Sequence, residues 1–63
     1  MKLIKFFIDN KLVISHSQLR RIVFQGAVKH NGKIVNIKDM PNVDLQDGDT
    51  IQLGKREPII III

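Results

Sequence analysis

The chain has 63 residues, 44% of them hydrophobic and none of them cysteine, with 10 Lys and Arg against 6 Asp and Glu for a formal net charge of +4. That size predicts a single domain over residues 1–63 with a thin core. The composition excludes a disordered chain, a disulfide framework and a thiolate metal site, and it suits a reducing, cytoplasmic setting. No stretch approaches the roughly 20 apolar residues of a membrane span. The basic-then-apolar opening from Met1 to Ile8 is cut off by Asp9 and Asn10 with no small-residue cleavage site after it, so neither a membrane partner nor a signal peptide is expected. Charge is unevenly spread: residues 1–38 carry +7 and residues 39–63 carry −3. A one-sided field of this kind attracts a polyanion.

In chain order, Lys2 to about Asn10 reads as a short helix with a wide apolar face, and Asn10 can tolerate the left-handed conformation that often ends a helix. After an apolar connector, Leu12 to Ile14, a second helix is predicted from Ser15. Ser15-His16-Ser17-Gln18 fits a capping box, and Gly26 supplies the stop. Leu19, Ile22 and Val23 share its buried face, while Ser17, Arg20, Arg21, Phe24 and Gln25 fall on the opposite arc. Residues 27–30 alternate like a strand, Asn31-Gly32 is a strong hairpin signal, and residues 33–37 form the returning strand. Residues 38–49 carry turn chemistry, residues 50–53 a short strand, and residues 54–58 another turn. Ile59 to Ile63 are strand by propensity. Three readings stand for this run: a fully buried strand, which is preferred; a strand that packs on another protein; or an exposed aggregation hazard. The expected fold class is α+β, with two helices packed on a small, mostly antiparallel sheet.

The segment Ser15 to Gly32 puts a capped helix, two adjacent arginines, a glycine stop and an Asn-Gly hairpin flanked by Lys29 and Lys33 in one order. Arginine presents a planar fork that binds phosphate bidentately, and lysines on the hairpin extend the charge sideways. Such a surface suits structured RNA, which proteins recognise by backbone shape and exposed ends.

These residues resemble the S-four RNA-binding domain, a helix–turn–helix–hairpin unit with the approximate pattern Ser-Arg-Ser-Glu-Ala-Arg-Arg-Leu-Ile-x-x-Gly-x-Val-x-Val-Asn-Gly. The match lies at Ser15, Ser17, Arg20, Arg21, Gly26, Val28, Asn31 and Gly32. Gly48-Asp49-Thr50-Ile51-Gln52-Leu53-Gly54-Lys55-Arg56 is similar to the closing motif of the C-terminal domain of bacterial tyrosyl-tRNA synthetases. The chain departs from the family at Lys11, where glycine is common, at His16 and Phe24, where basic or polar residues are usual, at His30, and at Glu57-Pro58.

The resemblance implies RNA binding by Ser15, His16, Ser17, Gln18, Arg20, Arg21, Gln25, Lys29, Asn31, Lys33, Lys55 and Arg56. It makes tRNA the first expected partner, with a catalytic domain of the parent synthetase as a second. The alternatives are a ribosomal-RNA-binding domain, free-standing or fused to an RNA-modifying enzyme, and a protein-interaction module that uses the isoleucine strand. Phe24 either stacks on an unpaired base or, as preferred on sequence, packs beneath the arginine stems. No cofactor and no catalysis are expected. His16 and His30 lack further ligands at metal-binding spacing, and Ser15-His16-Ser17 has no orienting partner for a catalytic base.

Overall fold

Leu3, Phe6 and Phe7 recur at helical spacing, and burying them organises the first element. The computed structural model describes residues 1–63. It contains helices α1 (Leu3–Asp9) and α2 (His16–Phe24), strands β1 (Val28–His30) and β2 (Lys33–Ile34), a 3-10 turn (Met40–Asn42), and strands β3 (Thr50–Leu53) and β4 (Ile59–Ile60). The fold is α+β: two helices and one antiparallel sheet in the order β2-β1-β3-β4. No helix is long and apolar enough to cross a membrane.

Both helices end in the same backbone motif. In α1, the Lys11 N–H donates to Ile8 O at 3.0 Å and the Leu12 N–H to Phe7 O at 2.9 Å. In α2, the Gly26 N–H donates to Val23 O at 2.9 Å and the Ala27 N–H to Ile22 O at 3.2 Å. This Schellman pairing needs a left-handed residue just past the helix. Gly26 takes it at φ +74 and Lys11 at φ +58. Asn10, which can tolerate that conformation, instead has φ −93 and donates its side-chain amide to Phe6 O at 2.8 Å. The left-handed turn therefore falls one residue later, where the motif's hydrogen bonds require it.

Asn31 (φ +52) and Gly32 (φ +85) make the tight hairpin that joins β1 to β2, as the Asn-Gly pair predicts. The returning strand is shorter than expected. β2 ends at Ile34, although the Val35 N–H still bonds to Val28 O at 2.9 Å, and the chain then folds around Asn36. The Asn36 side chain accepts the Lys38 N–H at 2.9 Å, and its carbonyl accepts the Asp39 and Met40 N–H groups.

The core comprises twelve buried residues, all hydrophobic, among them Phe7, Leu19, Val28, Ile51 and Ile61. Phe6 and Phe7 meet edge to face with centroids 5.9 Å apart. Cross-strand partners share a sheet face. Val28 opposite Leu53, and His30 opposite Ile51, therefore lie on the helix-covered face, while Lys29, Ile34 and Gln52 lie on the other. The expectation of a fully buried Ile59–Ile63 strand is overturned. Only Ile61 is buried, at 2% exposure, whereas Ile62 is 85% exposed. The cause is position: β4 is an edge strand, and its outer face has nothing packed on it. Ile61 is pinned by its N–H to Asp49 O and by the Gly48 N–H to its carbonyl, both at 2.8 Å.

Candidate nucleic-acid interface

The candidate interface is built on α2. Ser15, in extended backbone, accepts the Gln18 N–H on its hydroxyl at 3.2 Å. Gln18 returns the bond by accepting the Ile14 N–H on Oε1 at 2.7 Å, one residue before the usual partner of a capping box. Both side chains are thus committed to starting the helix. Leu19 and Val23 turn into the core, and Ile22 is half-buried beside them. The remaining arc carries exposed Ser17, Arg20, Arg21, Phe24 and Gln25, as the helical spacing predicts.

Two grooves flank this arc. The first, an open groove of about 320 Å³, is lined by Ser17, Arg20, Arg21, Phe24 and Ile37. The second, about 520 Å³, runs along the helix's other edge, where Gln18 and Ile22 face Leu53, Lys55 and Arg56. The turn bearing Lys55 and Arg56 is held against the end of α2. The Gly54 N–H donates to Ala27 O at 2.7 Å, and Gln52 Nε2 donates to Arg56 O at 3.0 Å. Arg20–Arg21 and Lys55–Arg56, far apart in sequence, thus line the two grooves on either side of α2.

Other predicted residues are not brought to this face. Lys29 lies on the sheet face away from the helices, and Lys33 lines a separate groove with His30 and Asp39. His16 points toward a groove with Leu3 and Met40. Asn31 is committed to structure: its Oδ1 accepts the Thr50 N–H at 2.8 Å and its Nδ2 donates to Asp49 Oδ1 at 3.2 Å. Asp49 also accepts the Gln46 N–H at 2.9 Å and pairs with His30 Nε2 at 2.8 Å. The Gln46 amide foremost, then the His30 and Asn31 side chains, hold the Asp49 carboxyl down at about 2. Ionised at neutral pH, Asp49 can only accept, so the histidine Nε2 is the donor.

Two of the three ion pairs join the basic first part of the chain to the acidic second part. The ion pairs are the terminal amine with Asp44, Lys5 with Asp9, and His30 with Asp49. Asp47 accepts the Ile63 N–H at 2.9 Å. None of Arg20, Arg21, Lys29, Lys33, Lys55 or Arg56 is paired with a carboxylate. Phe24, expected to pack beneath the arginine stems, is 78% exposed, because its place on the helix points it outward.

Sequence reasoning missed Ile37 as a groove wall. It read Ile37 as strand, and only the Asn36 turn carries it to α2. Comparison with protein families, with characterised proteins and with solved structures finds no match.

Proposed function

We propose that this chain is a module that binds structured RNA through the outward arc of α2 and the adjoining Lys55–Arg56 turn. The carrying observation is that the bases of this surface are exposed and unpaired, while Asp9, Asp44, Asp47 and Asp49 are engaged elsewhere in the fold. An exposed guanidinium without a carboxylate partner keeps its full charge and its bidentate donors for phosphate. The resemblance of Ser15–Gly32 and Gly48–Arg56 to the S-four domain of tyrosyl-tRNA synthetases makes tRNA the first candidate, with a ribosomal RNA hairpin second.

Titrating the parent chain and the Arg20→Ala/Arg21→Ala variant with tRNA, a ribosomal RNA hairpin and duplex DNA tests the proposal. The parent should prefer RNA. The variant should lose at least about tenfold in affinity, each charged contact being worth about 1.5 kcal/mol or more, with an unchanged circular dichroism spectrum because both side chains lie outside the core. A variant that binds RNA as tightly as the parent contradicts it.

A further inference from the structure

The chain has three phenylalanines, of which Phe6 and Phe7 are buried at 5% and 0% exposure, while Phe24 is 78% exposed. A single exposed ring is ordinary on a protein surface; its setting is not. Phe24 follows Arg20 by four residues and Arg21 by three, so the ring lies one helical turn from both guanidiniums on the same arc. Ile37 forms the facing apolar wall of the groove, and Ser17 adds a hydroxyl at its other end.

A phenyl ring forms no hydrogen bonds, so toward a nucleic acid it offers only a π-face, on which a base of any identity can stack. In an uninterrupted helix both faces of every base are already covered by neighbours. The ring can then gain nothing beyond the backbone contacts of the arginines. An unpaired nucleotide has a face to give. The groove of about 320 Å³ lined by Phe24, Ile37, Arg20, Arg21 and Ser17 offers such a base an apolar ring, its flanking phosphates two guanidiniums, and a base edge or 2′-hydroxyl one hydroxyl.

Resting on the RNA-binding reading, we infer that the Phe24–Ile37 groove is a slot for one unpaired nucleobase, so that the target is an RNA helix interrupted by a bulged or looped-out nucleotide. Phe24 is the residue that distinguishes this target from continuous duplex; the arginines bind both.

The test uses two synthetic RNA hairpins of identical stem, one fully paired and one with a single unpaired adenosine, titrated at fixed salt. The parent should bind the bulged hairpin about tenfold more tightly, within the usual range for stacking one base. Phe24→Ala should bind both at the paired-hairpin affinity and keep the parent's salt dependence. Phe24→Trp should keep the preference. Because the parent chain contains no tryptophan, the indole emission of that variant reports the site alone. It should be quenched by the bulged hairpin and little affected by the paired one.

A parent that binds both hairpins equally, or a Phe24→Ala variant that keeps the preference, overturns the slot and leaves RNA binding standing. Binding of neither hairpin overturns the RNA-binding reading and the slot with it. Phe24 contributes nothing to the core, so the variants should fold, which far-ultraviolet circular dichroism verifies.

Discussion

Four residues with positive φ show how local chemistry and backbone demand agree or conflict. Gly26 and Gly32 occupy left-handed positions without a side-chain penalty, whereas Lys11 holds φ +58 with a full side chain. Asn31 tolerates φ +52 and uses its amide to tie the hairpin to Asp49 and Thr50. Asp49 is the centre of that tie, and its behaviour is measurable. Its carboxyl is lowered from the usual 3.8 to about 2 by the Gln46 amide, His30 and Asn31. A carboxyl whose folded-state value lies below its unfolded value contributes stability that is full above its unfolded value, about pH 4, and is lost as pH falls toward the folded value. Asp44, lowered chiefly by its hydrogen bond from the terminal amine, acts in the same direction. Urea midpoints measured from pH 6 to pH 2 should therefore fall at the acid end. Asp49→Asn should be less stable at pH 6 and should show a flatter acid decline, with the remainder owed to Asp44. Parallel curves for variant and parent would show that the Asp49 carboxylate does not couple to folding.

At the scale of elements, what could be read in advance was what short-range chemistry decides. The Ser15 cap, the Gly26 stop and the Asn31-Gly32 turn each depend on neighbours within a few residues, and α2 and the hairpin stand where they were expected. The ends of β2 and the fate of the isoleucine run depend on distant partners, and there the sequence was opaque. Five identical residues carry no alternation, so nothing local indicates that Ile61 alone is sealed into the core while Ile60, Ile62 and Ile63 face outward. The candidate interface divides in the same way. Its helical arc was legible from spacing, whereas the Ile37 wall and the approach of Lys55 and Arg56 to α2 are tertiary. The buried isoleucine yields a sharp contrast. Ile61→Ala should cost about 2–4 kcal/mol, much of the roughly 3–5 kcal/mol that a single core of this size supplies. Ile62→Ala should change stability by less than about 0.5 kcal/mol. Urea denaturation of the two variants checks this; equal losses would mean that the run is not divided between core and solvent in solution.

For the whole molecule, the division of charge becomes a division of surface. The carboxylates of Asp9, Asp44 and Asp49 are paired with cations, and Asp47 accepts a backbone N–H, while Arg20, Arg21, Lys55 and Arg56 remain free along the grooves on either side of α2. Lys29 and Lys33 lie outside those grooves. On the proposed reading an RNA meets the bases of these two grooves rather than a charged shell, and the number of phosphates it contacts should be small. That number is what salt dependence counts. Each phosphate neutralised contributes about −0.7 to −0.9 to the slope of log K against log salt. About four to six contacts give the parent chain a slope of roughly −3 to −5, and removing Arg20 and Arg21 together should make it shallower by about 1.5. The slope for a structured RNA, measured for the parent and for Arg20→Ala/Arg21→Ala, tests the account most directly. A steep parent slope that the double substitution flattens is the predicted result. A flat parent slope, or identical slopes for the two proteins, would contradict RNA binding at this face and would favour the exposed isoleucine edge as a docking site for another polypeptide.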